Sequence, residues 1–513
     1  MTPIAAQVAH TLPRVLSLFD RDPRSACYGI GDRQHVSWCT KDYANGTQQA
    51  LAHGLARLLH DGALPPFCPP GQASRVVESA FAGLARITRS DGSLEEAFPY
   101  ESSFCVTALG LHDLLWAHRL CPPDTPATRA RRLAALAPLA RFLLRADERH
   151  GFISNHLATA AGALYLWHAE TGDAAAERCG GLLLRRILEH ASPEGWFREY
   201  DGADPGYQSL CLHYLALLHV ARPDLGLMPH LCRGIDFLTH FVFPDGSFGG
   251  IFGSRRTRFY YPTAAALLAE SHPPAAALHA AMSASIAAMN CVTLACMDDD
   301  NLAPMFNAYA CAASISVPQE TGALPCAAPA PLRRFPGAGL AVYNTTAHYT
   351  VVAVGLGGAY ESASKVDGSH MTDGGSLLRR GDRLWSTQCR DPQATALLSD
   401  DGLDVTCRAV RVLRRRPAPL QLLCLRLLAM TVMRVPAVSR LIKRLLAFLL
   451  MGKKSFHPVA IRRRIDMSGG RPAVTAAPVG PLPSGTVFEA QGGTSLSIHM
   501  ASAGYWQRTE AQE

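Results

Sequence analysis

The sequence SDGSLEEAFPYESSFCVTALGLHDLL (residues 90–115) places a glycine turn before a polar and aromatic segment and then an apolar helix. The same order recurs in RHGFISNHLATAAGALYLWHAE (149–170), PEGWFREYDGADPGYQSLCLHYLALL (193–218) and PDGSFGGIFGSRRTRFYYPTAAALLAE (244–270). A recurring unit of this length is typical of proteins built from stacked helix pairs. The turn glycines are Gly92, Gly151, Gly195 and Gly246.

The spacing of these glycines predicts the architecture of the first 330 residues. Successive glycines are 59, 44 and 51 residues apart, which leaves room in each step for two helices of about 10–14 residues and their connections. Between two copies, residues 127–146 have leucines at helical spacing. We therefore predict an α/α toroid, of the incomplete α/α barrel type, over residues 1–330. The glycine turns and their polar side chains should lie on one rim.

The pattern changes after about residue 330. Residues 339–356 are rich in β-branched and aromatic side chains at strand spacing, and GTVFEA (485–490) and TSLSIHMA (494–501) share this pattern. The proline-rich segment 326–336 is predicted as a linker. The predicted fold class is α+β multidomain, with a β-sandwich over residues 335–513 after the toroid.

Positive charge is concentrated in one segment of this 513-residue chain, whose net charge is +7. Residues 408–464 contain fifteen Lys or Arg and no Asp or Glu, so the rest of the chain carries a net charge of −8. Because the basicity is local, it does not indicate a nucleic-acid-binding protein, and we expect no nucleic-acid partner. We predict that residues 408–464 form a basic amphipathic helical insertion in the sandwich domain.

The first 29 residues lack a basic start followed by a continuous apolar core, so no secretory signal is predicted. No uninterrupted apolar run reaches the length of about 18 residues that a membrane span needs. The fifteen cysteines include no C-x-x-C pair, which is typical of buried thiols in a reducing compartment and gives no reason to expect a zinc site. We expect a cytoplasmic protein with no metal and no cofactor.

A rim that binds sugars needs aromatic faces that stack on pyranose rings and carboxylates that hold hydroxyl groups. The repeat turns provide such side chains, and their shared position in the repeat predicts that several of them face one cleft. The fourth copy adds arginines. The predicted substrate-binding residues are Glu101, Trp196, Glu199, Tyr200, Arg255, Arg258 and Tyr260.

Four further residues are candidates for chemistry. Asn155 and His156 lead into the helix of the second copy, and an amide beside an imidazole can neutralise a carboxylate. Tyr207 stands at a helix start in the third copy, where a phenol can exchange protons with a sugar. Alternatively, Asn155 caps its helix, His156 is a satisfied surface group and Tyr207 packs between helices. His370 follows a Gly-Ser turn in the β region, although a lone loop histidine is often only solvated.

In their order and spacing, these motifs resemble the heparinase II/III-like and alginate-lyase-like polysaccharide lyases. The resemblance rests on Asn155-His156, on EGWFRE (194–199) followed by Tyr207, and on the HMTD motif at His370. It covers about residues 80 to 400. These lyases combine an N-terminal α/α toroid with a C-terminal antiparallel β-sandwich. Lys365 stands where this family often has a further histidine, which argues against a metal in the sandwich.

The resemblance implies β-elimination at a uronic acid. This reaction neutralises the C6 carboxylate, removes the C5 proton and protonates the departing O4. Asn155 and His156 would neutralise the carboxylate, Tyr207 would act as base or acid, and His370 would be its partner from the other domain. A basic Tyr207 needs a lowered pKa, which a nearby cation such as Arg255 would supply.

Two other functions would use the same residues. A uronosyl C5-epimerase abstracts the C5 proton but returns it and spares the chain, and a non-catalytic glycan-binding or assembly factor in exopolysaccharide or capsule biosynthesis could share the fold. The expected partner is an anionic polysaccharide or a lipid-linked glycan. Residues 408–464 could lie in an anionic membrane interface, at the inner face of the cytoplasmic membrane, or instead pack on the toroid.

Overall fold

The computed structural model describes residues 1–149, 151–318, 322–412, 418–435, 438–439, 441–442, 445 and 454–492. Within these residues the helices are α1 Pro3–Leu18, α2 Arg33–Val36, α3 Leu51–His60, α4 Pro70–Ile87, α5 Phe104–Leu120, α6 Pro126–Leu143, α7 Ser154–Thr171, α8 Ala174–Glu189, α9 Pro205–Ala221, α10 Met228–Thr239, α11 Thr263–Leu268, α12 Pro273–Ala287, α13 Leu302–Ala313 and α14 Pro419–Met430. The strands are β1 Ala330–Phe335, β2 Leu340–Asn344, β3 His348–Ala353, β4 Ala359–Ser364, β5 His370–Asp373, β6 Leu377–Arg380, β7 Arg383–Ser386, β8 Thr395–Ser399, β9 Gly402–Val412, β10 Phe456–Asp466, β11 Ala473–Pro478 and β12 Val487–Glu489.

The first thirteen helices include an inner and an outer ring, which confirms the predicted α/α toroid. Each inner helix contacts the next in the order α3, α5, α7, α9, α11, α13, and α13 returns to contact α3. The outer helices α4, α6, α8, α10 and α12 pack against this ring, and α1 packs on α12 and α13. A side chain at Gly54 would come within 2.6 Å of the Phe306 ring. This glycine therefore permits the close contact between α3 and α13 that closes the ring.

The repeat turns have one shared geometry. In three of the turns the glycine amide donates a hydrogen bond to the carbonyl three residues earlier. The pairs are Gly92 to Arg89, Gly195 to Ser192 and Gly246 to Phe243. The glycines adopt φ values of +89°, +101° and +82°, which other residues adopt at a cost. A Cβ atom at Gly92 or Gly195 would lie 2.2 Å from a backbone carbonyl of an outer helix. The glycines therefore let the turns seat on the outer ring and direct the following residues to the rim.

The C-terminal region is an antiparallel β-sandwich, as predicted. One sheet has the order β1-β2-β3-β4-β5, and the other has the order β11-β10-β9-β7-β6-β12, with β8 pairing β9. Side chains such as Tyr343 and Val352 from the first sheet meet Val405 and Ile465 from the second. The opposite face of the first sheet joins the toroid core through residues such as Tyr349, whose hydroxyl donates to the His240 carbonyl at 2.8 Å. The inner strands β2, β3 and β4 are therefore buried on both faces, whereas the edge strand β1 is largely exposed.

Two predicted boundaries need correction. Strand β1 lies inside the segment 326–336 that was predicted as a linker, because an edge strand tolerates its proline. The ends of the predicted insertion 408–464 belong to the long antiparallel pair β9 and β10, so the insertion lies between these strands. Its described residues include the helix α14. The predicted strand at 494–501 lies outside the described residues, and no described helix is long and apolar enough to cross a bilayer.

Candidate functional site

The N-termini of α7 and α9 meet at one rim of the toroid. The Ser154 hydroxyl, at the start of α7, donates to the Arg198 carbonyl of the third repeat turn at 2.7 Å. Ile153 and Glu199 form a β-bridge between the second and third turns. Asp204 caps α9 by accepting from the Tyr207 amide. The two turns thus form one unit, and the predicted residues Asn155, His156, Glu199, Tyr200 and Tyr207 are carried on it.

Glu199 is the central buried carboxyl group of this unit. Its residue is 3% exposed, and the Asn155 amide donates to its Oε2 at 2.8 Å. Burial raises the pKa of Glu199 to about 8, and the charges of Asp204 and Glu148 add to this rise, whereas Arg255 and the Asn155 hydrogen bond oppose it. Glu199 is therefore largely protonated near neutral pH. A buried carboxylic acid of this kind can donate a hydrogen bond to an anion.

Arg255 lies between two tyrosines at the same rim. Its guanidinium carbon is 4.6 Å from the centre of the Tyr200 ring and 5.2 Å from that of Tyr207. Its backbone amide donates to Asp204 Oδ2 at 2.9 Å, which ties the fourth repeat turn to the start of α9. Tyr200 has a φ of +54°, a conformation that a non-glycine residue adopts only when its surroundings impose it. The pairing of Arg255 with Tyr200 and Tyr207 is thus built into the fold.

The predicted lowering of the Tyr207 pKa is wrong. Burial raises the pKa of Tyr207 above its usual value, and the charges of Glu199 and Asp204 add to this, although Arg255 opposes it. Burial likewise raises the pKa of Tyr200. The cation expected from the sequence is present, but burial outweighs it. At neutral pH Tyr207 is a phenol that can donate a proton.

His156 is a partly exposed acid–base group of the unit. Its Nδ1 lies 2.6 Å from Glu148 Oε2, and the side-chain exposures are 21% for His156 and 1% for Glu148. A carboxylate on Nδ1 fixes the imidazole tautomer and leaves Nε2 as the nitrogen available to accept a proton. Asn155, in contrast, is buried and directs its amide to Glu199. Its geometry supports a positioning role instead of the direct contact with a substrate carboxylate that the sequence suggested.

Three of the predicted substrate-binding residues make structural contacts in loops, in the domain interface or in the core. The Glu101 carboxylate accepts the backbone amides of residues 96 and 97 and so shapes its own loop. Trp196 donates to Glu194, whose carboxylate binds backbone amides at residues 337 and 338 of the β1–β2 turn. Tyr260 is 1% exposed and packs on Phe248. Tyr260 is therefore a core residue, and its prediction as a substrate-binding residue is wrong. Trp196 contributes to the interface between the toroid and the sandwich.

His370 and Arg258 lie in a second cluster, between the toroid and the first sheet. The two ring nitrogens of His370 are each 3.1 Å from a carboxylate, of Asp245 and of Glu361. Arg258 also pairs with Glu361, at 2.5 Å. Burial alone would lower the pKa of His370, but the bonds to both carboxylates raise it above its usual value. With its side chain 3% exposed, His370 joins the domains through these two carboxylates, and its predicted catalytic role finds no support in this geometry.

Glu148 could not be identified from the sequence, because it precedes the second turn without any motif. Asp204 could have been found, since an Asp-Pro pair at a helix start is a capping signal. No three His, Cys, Asp or Glu side chains converge with metal-binding geometry in the described part of the chain. The acid–base groups considered for catalysis at this rim are His156, Glu199 and Tyr207.

No protein-family model and no curated protein sequence matches this chain. Among solved structures, it is similar to a Paenibacillus xanthan lyase (TM-score 0.47, 10% identity), covering 80% of this chain and 44% of the lyase. It is also similar to the Streptomyces coelicolor A3 chondroitin AC lyase (0.49, 12%), over 80% of this chain and 67% of that one. For heparinase III the values are 0.40 and 11%, over 79% and 73%. The chain thus spans less than half the length of the xanthan lyase, and identities this low carry no activity over to it.

Proposed function

We propose that this chain is a polysaccharide lyase that cleaves a uronic-acid-containing polysaccharide by β-elimination. The observation that carries the proposal is Arg255, whose guanidinium lies over the rings of Tyr200 and Tyr207 and beside the buried Glu199. This arrangement places a fixed cation next to two proton donors at one rim. An acidic sugar needs both a partner for its carboxylate and a proton donor for its leaving oxygen.

The first task of the site is to bind and neutralise the carboxylate of the sugar. Arg255 offers a charged donor to it, and protonated Glu199 beside Arg255 offers a neutral one. Their combined effect is to stabilise the negative charge that moves onto the C6 carboxylate when C5 loses its proton. Asn155 holds Glu199 in place through its amide hydrogen bond.

Proton transfer is the second task. His156 Nε2 accepts the C5 proton, and Glu148 stabilises the resulting imidazolium through Nδ1. The electrons of the C5–H bond form the C4–C5 double bond as the C4–O4 bond breaks. Tyr207 donates its phenolic proton to O4, a role that suits its raised pKa. The products are an unsaturated uronate and a new chain end.

The alternative C5-epimerase would use the same two groups, with His156 removing the C5 proton and Tyr207 returning one from the other face of the ring. The presence of two acid–base groups on neighbouring helix starts is compatible with it. A lipid-linked glycan as the form of the substrate, and a cytoplasmic location, remain predictions from the sequence.

The test compares wild-type protein with Tyr207→Phe on a panel of uronate polymers in deuterated buffer. New unsaturated-uronate absorbance is expected from the wild type, and a loss of roughly a hundredfold or more from the variant. Tyr260→Phe is the matched control, because this buried hydroxyl has no hydrogen-bond partner among the described residues.

The outcomes separate the candidate functions. Deuterium at C5 without chain cleavage would identify an epimerase, and binding of a polymer without either reaction would identify a glycan-binding protein. Full lyase activity in a folded Tyr207→Phe protein would refute the proposed acid.

A further inference from the structure

The segment between β9 and β10 exposes an unusual amount of apolar surface. In α14 and the residues that follow it, ten large apolar side chains are at least 40% exposed. They are Leu420, Leu422, Leu423, Leu427, Leu428, Met430, Val432, Val435, Leu441 and Leu445. Helices on the surface of water-soluble proteins usually expose a polar face, and contiguous apolar patches of this kind mark a binding surface.

This segment is anchored to the toroid on its other side. Ala429 and Met433 are buried, Arg426 forms an ion pair with Asp42, and the Ser439 hydroxyl donates to the Tyr100 carbonyl at 2.8 Å. The contacts join the segment to the first repeat turn and the loop before α3. The exposed leucines therefore belong to a docked element with a defined outward face.

The positive charge of the segment favours an anionic partner on that face. Residues 413–455 contain ten Lys or Arg and no Asp or Glu. A second copy docking through the same face would bring two basic segments together, which is electrostatically unfavourable. Basic residues interspersed with leucines suit the boundary between anionic headgroups and acyl chains. At 12 residues, α14 is too short to cross the roughly 30 Å hydrocarbon core, so it would lie along the surface.

We propose that α14 and the adjoining segment form a docking surface for an anionic phospholipid membrane. The exposed leucines enter the headgroup boundary, and the net positive charge of residues 413–455 favours anionic lipids. Because the segment is fixed to the first repeat turn, docking places the rim of the toroid near the membrane. If the proposed lyase function also holds, the enzyme meets its polysaccharide at that surface.

The experiment is flotation of the full-length protein with phosphatidylcholine vesicles, prepared with or without phosphatidylglycerol. We expect binding to the anionic vesicles, weakened by added salt. The double variant Leu423→Gln/Leu427→Gln should bind at least roughly tenfold more weakly, since two apolar side chains lose their burial. Leu182→Gln/Leu397→Gln is the matched control, because these leucines are at least as exposed as Leu423 and Leu427 but lie outside this segment.

Failure of the wild type to bind anionic vesicles would overturn the proposal, and so would equal binding to pure phosphatidylcholine. Equal binding by the Leu423/Leu427 variant would assign the contact to another surface. A concentration-dependent dimer in sedimentation velocity that the variant abolishes, without vesicle binding, would make a second copy the occupant. Tyr207→Phe should bind vesicles like the wild type, so this result is independent of the proposed chemistry.

Discussion

Replacing Glu199 with glutamine tests whether this carboxyl group is held in its neutral form. Glutamine keeps the shape and the hydrogen bond to Asn155 but cannot ionise. The pKa of Glu199 is raised from 4.5 to about 8 by burial. Since one pKa unit corresponds to about 1.4 kcal/mol, ionising this group in the folded protein is disfavoured by roughly 5 kcal/mol.

The sign of the effect on stability follows from proton linkage. Between pH 4.5 and 8 the folded protein keeps the Glu199 proton that the unfolded chain releases, so unfolding becomes easier as pH rises. From pH 5 to pH 8 the wild type should lose roughly 3 to 4 kcal/mol of unfolding free energy through this group. Because glutamine cannot ionise, the unfolding free energy of Glu199→Gln does not fall in this way. The variant should therefore be more stable than the wild type at pH 8 and close to it at pH 5.

Urea denaturation of both proteins at these two pH values measures the difference, with the exposed Glu189→Gln as control. Activity gives a second measurement. If the neutral carboxyl group stabilises the substrate carboxylate, wild-type kcat/KM should fall above pH 8, and Glu199→Gln should remain active without that fall. Equal stability differences at both pH values would refute the raised pKa, and a folded but inactive variant would refute the donor role.

The second cluster and the repeat turns give two further predictions. Because the pKa of His370 is raised, its stabilising contribution is complete below the unfolded value of 6.5 and is lost as pH rises through the folded value. His370→Gln should therefore lower the melting temperature most at pH 6 and less at higher pH, and a constant difference would contradict the ion-pair explanation. Gly195→Ala should lower the unfolding free energy by at least about 2 kcal/mol, because its Cβ would lie 2.2 Å from the Arg233 carbonyl. Gly172→Ala, where nothing lies within 4 Å, should lose only about 1 kcal/mol, and equal losses in denaturant titrations would show that close packing at Gly195 is unimportant.

The sequence predicted the toroid because its turns are specified locally. Asp91 and Asp245 each accept the backbone amide two residues later, and the glycines that follow adopt positive φ, so each copy carries its own turn chemistry. Closure of the inner ring depends on contacts between α3 and α13, which are distant in sequence and carry no local motif. The edge strand β1 could not be predicted because it contains a proline, and a local pattern does not reveal that a neighbouring strand will pair with it.

The candidate site could be predicted only in part. Tyr207 and Arg255 were found because each occupies a polar position just after a repeat turn, and the structure brings them together. Tyr260 stands only five residues after Arg255 but faces the core, because turn spacing does not determine which side chains point inward. The sequence also could not show how burial and charge combine, so it predicted a lowered pKa for Tyr207 where burial raises it.

Helix direction explains why this rim suits an anion. Neighbouring inner helices are separated in the chain by an outer helix that returns to the same end, so α7 and α9 both begin at the rim that carries the repeat turns. The N-terminus of a helix carries a partial positive charge and unpaired amide groups. Asp204 uses its carboxylate to satisfy one such N-terminus and to hold Arg255 beside it, and Glu199 remains largely neutral because it is buried next to that negative charge. The rim thus keeps the Arg255 charge available to a ligand, whereas an ionised Glu199 would neutralise it. The raised pKa of Glu199 is therefore a requirement of the proposed uronate site.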